Sequence, residues 1–281
     1  GINRIKCKVR YSKLEDILIN LKTPKQKLAE WALQNRMRRN FEVKLASSLK
    51  TEINRTASEI GNAYLLSGRQ SIGLYSRQHF SRVKNLIFSH WKVVTDTFRS
   101  RILSQLRLIQ ETERKEYEDE FDKQFESFLF TYGSEKVSNI SSTTMANIRS
   151  AIDSAQTDGL DVFQTARRIT ELTAISSITR AVLIARTETH QAANYANFTS
   201  LDVVNIPETT KEWVAVNDAR TRDDHSAANG QVVSKSGDFI VGGSVLRYPG
   251  DPLGPPQQVI NCRCTFVVNV PEPDFGGFED E

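Results

Sequence analysis

Residues 211–270 contain several side chains of the types that bind metals or take part in catalysis. His225 supplies an imidazole, and Cys262 and Cys264 supply two thiols, which are the ligand types that zinc favours in tetrahedral sites. Side chains two residues apart on a strand point to the same face, so we expect the two thiols to emerge side by side. The sequence therefore predicts a structural zinc site on these three residues. The candidates for a fourth ligand are the carboxylates of Asp218, Asp223, Asp224 and Glu188.

Two other interpretations of these residues stay open. In the first, the two cysteines are small buried hydrophobic residues and the histidine hydrogen-bonds a turn. In the second, His225, Glu188 and Asp218 form the acid/base site of a metal-dependent phosphodiester or nucleotide enzyme. Arg220 and Arg222 would then bind the anion. Because the chain carries no phosphate loop, no serine-nucleophile elbow and no two-histidine zinc helix, we expect a protein that is not an enzyme.

Composition limits the class of protein. Charged residues make up 25% and hydrophobic residues 39% of the 281 residues, which is typical of a soluble protein. No apolar run approaches the roughly 20 residues that a membrane-spanning helix needs, so we expect no membrane partner. The third cysteine, Cys7, is isolated, and the N-terminus lacks the apolar core of a signal peptide. An odd number of cysteines without a secretion signal indicates a reducing compartment with free or metal-bound thiols.

Charge is distributed unevenly along the chain. The net charge of +3 is too small to indicate nucleic-acid binding, but residues 1–110 are basic and residues 111–126 are acidic. A basic front half is typical of a surface that meets phosphates or an acidic partner, so a DNA-binding module is a third interpretation. Ordinary solvated surface charge is the alternative explanation. The basic residues are Arg36, Arg38, Arg39, Lys44, Arg69, Arg77, Arg82, Lys84, Arg99 and Arg101.

Long helices are predicted for the first part of the chain, where apolar residues recur every three or four positions. Thr23 and Pro24 are typical of a helix start, and Gly68 is typical of its end. A second helix is predicted over 80–109. A third is predicted over 117–133, where Gly133 would end it.

Three shorter helices are predicted next, over about 142–157, 161–173 and 177–200. Gly159 separates the first two, and Asp161 is a candidate N-cap. The apolar pattern then changes to alternation, which predicts strands over 211–217, 238–241, 245–248 and 264–270. Between the last two, Pro249 and Gly250 fit the central positions of a type II turn.

The predicted fold is α+β: an elongated, mostly long-helical N-terminal region followed by a small β-rich C-terminal module. The predicted divisions are a long-helical region at 1–140, short helices at 141–205, the β-rich module at 206–270 and an exposed tail at 271–281. The helices are long for a compact globule, where about 12 residues is typical. Such lengths suit an elongated bundle or an arm that spans neighbouring subunits.

Several uncommon motifs occur in a fixed order from residue 185 onward. They are Ala185-Arg-Thr-Glu188, Trp213, Asp218-Ala-Arg-Thr-Arg222, His225, Gly230-Gln231, Tyr248-Pro-Gly-Asp251 and Asn261-Cys-Arg-Cys264. This series resembles the bacteriophage Mu F-like head morphogenesis family over about residues 140–270. The residues that define the module by this resemblance are Arg186, Glu188, Trp213, Asp218, Arg220, Arg222, Tyr248, Asp251 and Asn261.

The resemblance implies a structural minor head protein of a tailed phage. Such a protein is associated with the portal and acts in procapsid assembly, so its expected partners are the portal protein and capsid or scaffold proteins. Contact with packaged double-stranded DNA, and its delivery, are further expectations. The expected location is the phage head near the portal vertex, after synthesis in the bacterial cytoplasm.

Overall fold

The first helix of the computed structural model, which describes residues 20–106 and 114–271, begins and ends where the sequence predicts. Helix α1 spans Pro24–Ser67. Its N-cap is Thr23, whose hydroxyl accepts the backbone N–H of Gln26 at 3.2 Å, while the Gln26 side chain accepts the Thr23 N–H at 3.0 Å. This reciprocal capping box satisfies two of the N–H groups that a helix start leaves without partners. At the other end Gly68 has a φ of 55° and leads into a short 3₁₀ turn, Gly68–Gln70.

Helices α2 (Ser71–Leu106), α3 (Arg114–Phe128) and α4 (Ser134–Thr157) follow. The predicted end of a helix at Gly133 is wrong, because a π-helical turn, Leu129–Gly133, joins α3 directly to α4. Gly133 is there for packing: a Cβ atom on it would lie 2.8 Å from the Phe88 ring of α2. The end of the predicted second helix, residues 107–109, lies outside the described residues, as do Cys7 and most of the predicted tail.

Helix α5 spans Val162–Val204, so residues 141–205 are not a series of short helices. It begins at Asp161, which forms a capping box with Gln164, and the preceding Gly159 has a φ of 67°. The predicted break between residues 173 and 177 is wrong. Ser176 and Ser177 there donate side-chain hydrogen bonds to the carbonyls of Thr173 and Ala174, at 3.2 and 2.9 Å, so these polar residues lie within a continuous helix.

The C-terminal part contains two small antiparallel sheets. Strands β1 (Thr210–Val214), β2 (Val232–Ser234) and β5 (Thr265–Asn269) form one sheet in the order β2-β1-β5. Strands β3 (Phe239–Val241) and β4 (Ser244–Leu246) form the other. The four predicted strands are present, whereas β2 and two short helices, α6 (Asp223–Ala227) and α7 (Pro256–Val259), were not predicted. The α+β fold class is confirmed.

One apolar core runs through both parts of the chain. It contains Leu49 of α1, Phe98 of α2 and Tyr195 of α5 together with Trp213 and Phe266 of the larger sheet. A second cluster lies between α1, α4 and α5, away from the sheets. None of the helices in the described ranges is long and apolar enough to cross a membrane. The helices end near residue 205 as predicted, but the apolar core continues across that boundary.

Close contact between α1 and α5 depends on Gly61. A Cβ atom on this residue would lie 3.0 Å from the backbone oxygen of Ala166 and 3.4 Å from the Thr170 hydroxyl. We expect Gly61→Val to lower the free energy of unfolding by about 1–3 kcal/mol, because the added carbons force the helices apart. The control is Gly73→Val, since a Cβ atom on Gly73 meets nothing within 4 Å. Urea unfolding of both variants measures the difference, and equal stability of the two would contradict this account.

Candidate functional site

The structure brings His225, Cys262 and Cys264 together. His225 Nδ1 lies 3.4 Å from Cys264 Sγ and 3.6 Å from Cys262 Sγ. The three ligand atoms all lie within 4.8 Å of one another, and all three residues are buried. Both cysteines are free thiols. The predicted set of imidazole and thiols is therefore assembled, and we refer to it as the Cys/His cluster.

The two cysteines lie in the loop between α7 and β5, so the expected strand placement is wrong. This loop is shaped by Asn261, which has a left-handed φ of 59°. The Asn261 side chain accepts a hydrogen bond from Arg186 at 2.8 Å, and its backbone N–H donates to the Thr187 hydroxyl at 3.1 Å. Arg222 donates to the carbonyl of Ile260 at 2.7 Å. Arg186, Arg222 and Asn261 thus position the loop rather than contact a ligand.

Arg263, between the two cysteines, points the other way. Its guanidinium donates two hydrogen bonds to the Asp218 carboxylate, one of them at 2.8 Å. Asp218 also accepts the backbone N–H of Arg220 at 3.0 Å. The Arg263 hydrogen bonds hold the pKa of the Asp218 carboxyl well below its usual range. Asp218 therefore anchors the cysteine loop, and Arg220 itself stays largely exposed.

Trp213 and Arg38 enclose the cluster. The Trp213 ring is fully buried and meets the His225 ring edge to face, with 5.6 Å between the centroids. Arg38 of α1 is buried and donates to the carbonyl of Arg263 at 3.3 Å. Burial lowers the pKa of Arg38, whereas negative charge on Glu42 and the two cysteines opposes this. The cluster therefore lies in an interior that contains one buried cation.

The two thiols differ in their tendency to ionise. Burial alone would raise the pKa of Cys262, but interactions with Cys264, His190 and His225 outweigh it and hold the pKa well below the usual value. The hydrogen bond to Cys262, together with burial, raises the pKa of Cys264 well above its usual value. A single negative charge on the pair is therefore favoured at Cys262.

The structure does not bring together the three residues of the alternative enzyme site. Glu188 accepts a hydrogen bond from the Trp91 indole at 3.1 Å and lies 3.6 Å from the Lys136 ammonium group. Asp218 pairs with Arg263, and His225 lies at the cluster. Among the hydrogen bonds and ion pairs of the described residues, none joins two of Glu188, Asp218 and His225.

The carboxylates expected to supply a fourth metal ligand also lie elsewhere. Within residues 20–106 and 114–271, none of Asp218, Asp223, Asp224 and Glu188 belongs to the group of converging ligand atoms. The structure therefore does not supply a carboxylate as the fourth ligand. Asp218 and Glu188 bind other partners, and Asp224 accepts a hydrogen bond from Gln258.

A buried polar layer next to the cluster was missed by the sequence reasoning. His190 Nε2 lies 2.6 Å from the Cys264 carbonyl, and Asn194 donates to the Pro249 carbonyl at 2.9 Å. Thr265 donates to Gln34 at 2.7 Å. The available signal was the segment 187–200 of α5, which is rich in Thr, Gln and Asn and carries Glu188 as its single carboxylate, a composition that is unusual for a solvent-facing helix.

The turn at Tyr248–Asp251 has the predicted type II form. Gly250 has a φ of 82°, and the Asp251 N–H donates to the Tyr248 carbonyl at 3.1 Å. A Cβ atom on Gly250 would lie 2.5 Å from His190 Nδ1, so close approach also requires glycine. Tyr248 is fully buried, and burial raises the pKa of its hydroxyl well above the usual value. These residues are structural.

Asp251 holds the turn together, and its replacement tests this role. The buried carboxylate accepts hydrogen bonds from the Arg247 backbone N–H at 3.0 Å, from the Arg247 guanidinium at 2.7 and 2.6 Å, and from the Leu253 N–H at 3.1 Å. We expect Asp251→Asn to lower the free energy of unfolding by about 3 kcal/mol, because it leaves a half-buried guanidinium without its charged partner. Thermal unfolding measures this loss against Asp223→Asn, an exposed control. A neutral effect of Asp251→Asn would exclude the structural role.

The match to known proteins covers the same part of the chain. Residues 146–267 match the family model described as Phage Mu protein F like protein. Neither a curated protein nor a solved structure matches the chain. The matched range contains α5, the strands β1–β4, the Cys/His cluster and the nine residues that define the module by resemblance. Residues 146–267 are therefore similar to Phage Mu protein F like proteins, and this similarity covers somewhat less than half of the chain.

Proposed function

We propose that this protein is a minor head protein that associates with the portal and acts in procapsid assembly. The observation that carries the proposal is the Mu F-like module at residues 146–267. The protein would be made in the bacterial cytoplasm and built into the head near the portal vertex. Its role would be structural, and the residues at the Cys/His cluster would hold the module together rather than act on a substrate.

An exposed apolar face of α5 supports docking to another head protein. Leu172, Ile175, Ile178, Val182 and Leu183 lie within about half a helical circumference, and each is exposed, with Ile175 at 74%. No charged residue occurs between Leu172 and Arg180. Contiguous exposed apolar surface is typical of protein interaction sites. We call these five residues the α5 surface and assign it to the portal.

The α5 surface is rigidly supported, which suits a docking helix. The opposite side of α5 packs on α1 and α4, where Ile169 and Ala181 are buried. Arg180, at the edge of the surface, donates hydrogen bonds to the Thr144 hydroxyl and the Ile140 carbonyl of α4, both at 2.6 Å. Because its backbone is already ordered, α5 would lose little conformational entropy on binding.

Loss of the α5 surface should separate this protein from the portal. We expect the triple variant Ile175→Ser, Ile178→Ser, Val182→Ser to fold but to lose co-purification with portal rings and proheads, because the apolar contact is removed. The matched control replaces three exposed apolar residues of the C-terminal sheets and loop: Val232→Ser, Val245→Ser and Leu253→Ser. Affinity purification from cells that express the portal protein gives the comparison. Undiminished binding by the α5 variant refutes the assignment, and absence of the wild type from both proheads and virions refutes the portal role.

Contact with packaged DNA is the second part of the proposal, and we assign this contact to one face of α1. Arg82, Arg99, Arg101 and Arg69 form ion pairs with acidic side chains, and Arg38 is buried. By contrast, five exposed cations of α1 form no ion pair within the described part of the chain, and four of them lie between residues 36 and 50. These are Arg36, Arg39, Lys44 and Lys50. Unpaired exposed cations are the groups that bind phosphates in a sequence-independent way.

Salt dependence tests this face. We expect the variant with glutamine at positions 36, 39, 44 and 50 to bind duplex DNA more weakly than the wild type, with a shallower dependence of log K on log salt. The slope should fall by about 0.9 for each phosphate contact that is lost. Arg69→Gln and Arg167→Gln, which remove cations that are paired with Asp153 and Glu171, serve as the control. Fluorescence anisotropy with duplexes of unrelated sequence measures the slopes, and an unchanged slope in the four-residue variant excludes this face.

A further inference from the structure

The tautomer of a neutral His225 imidazole follows from two neighbours. Gln258 Nε2 donates to Asp224 Oδ2 at 2.7 Å, and a carboxylate only accepts, so the orientation of the Gln258 amide is defined. Its oxygen then faces His225 Nε2 at 3.0 Å. Because an amide oxygen also only accepts, the proton of a neutral His225 imidazole must be on Nε2. This leaves Nδ1 with a free lone pair.

That lone pair points between two sulfur atoms. His225 Nδ1 lies 3.4 and 3.6 Å from the sulfur atoms of Cys264 and Cys262. In a tetrahedral zinc site, with Zn–S near 2.3 Å and Zn–N near 2.0–2.1 Å, the distance from nitrogen to sulfur is about 3.6 Å. Without a metal, an unprotonated Nδ1 can accept a hydrogen bond here only from a thiol, which is a weak donor.

We propose that His225 Nδ1, Cys262 Sγ and Cys264 Sγ bind one zinc ion, and that Gln258 and Asp224 fix the imidazole for this purpose. Two thiolates and one imidazole are ligands that select zinc over magnesium or calcium. A hydrogen-bonded partner behind a ligand histidine is the usual way in which its tautomer and ring orientation are set.

The fourth position of this site faces a small cavity. The cavity has a volume of about 10 Å³ and is lined by the cluster and by Arg220, Thr221, Arg222 and Arg263. This is about the space that one water molecule occupies. Because no carboxylate among the described residues converges on the cluster, a water molecule is the fourth ligand that fits. Zinc would then join α6 to the cysteine loop that precedes β5.

Metal content of the full chain is the primary test, and it does not involve the portal. We expect about one zinc per chain after purification without chelator, and loss of that zinc in Cys264→Ser and in His225→Ala. Cys7→Ser, which removes the remaining thiol, should keep it. Where a ligand variant does not fold, cobalt substitution of the wild type decides: tetrahedral d–d bands with thiolate charge-transfer absorption are expected. A folded wild type that binds neither zinc nor cobalt overturns the proposal.

Two variants test the proposed role of Gln258. We expect Gln258→Leu to lower zinc affinity by about 10–100-fold while all three ligands remain, because the imidazole loses its orienting partner. Gln257→Leu, at the exposed neighbouring position, should leave affinity unchanged. Competition with a chromophoric chelator measures both, and ¹⁵N NMR of the wild type should place the proton on Nε2 and the metal on Nδ1. Equal affinities of the two variants, or metal on Nε2, would overturn the assigned coordination.

Discussion

The structure depends on satisfying the hydrogen bonds of a long polar segment buried in α5. Residues 187–201 are buried at every position except Phe198, and many of them carry hydroxyl, amide or imidazole groups. A buried polar group without a partner costs roughly 1–3 kcal/mol, so such a segment requires partners from elsewhere in the chain. The C-terminal loops and β5 supply several of them, through the carbonyls of Pro249 and Cys264 and the hydroxyl of Thr265. The helical part therefore depends on the C-terminal part for hydrogen-bond partners.

Three consecutive residues show how this arrangement also builds the Cys/His cluster. Cys262 and Cys264 point inward to His225, whereas Arg263 points to Asp218, and the Arg263 carbonyl accepts the Trp31 indole N–H at 2.8 Å. The loop thus contacts residues of α1, of α6 and of the turn after β1. Displacement of this loop would break contacts in all of these elements, which explains why so many motif residues have structural rather than ligand-binding positions.

Ion pairing determines which charges are available for partners. Arg82 pairs with Glu52 and Glu59, and Arg101 pairs with Glu30, so several cations of the basic front half stabilise contacts between helices. The cations left on the outer face of α1 and the apolar residues on α5 lie on different helices. The proposed contacts with DNA and with another head protein therefore lie on separate helices.

Local chemistry in the sequence determined the ends of α1, the cap of α5, the turn at Tyr248–Asp251 and the membership of the Cys/His cluster. These features rest on interactions between near neighbours or on residue types whose metal chemistry is restricted. The motif order also predicted the Mu F-like resemblance, which the family match at residues 146–267 confirms. The α+β class followed from the change of apolar period near residue 205.

Tertiary contacts decided the rest. Gly133 continues a helix because Phe88 occupies the space beside it, and the middle of α5 stays helical although two separate helices were predicted there. The tautomer of His225 depends on Gln258, which is 33 residues away in sequence, and the enclosure of the cluster depends on Arg38, more than 220 residues from Cys262. No local pattern encodes such pairs, because a residue's partner across the core is set by how helices and loops pack and not by spacing along the chain.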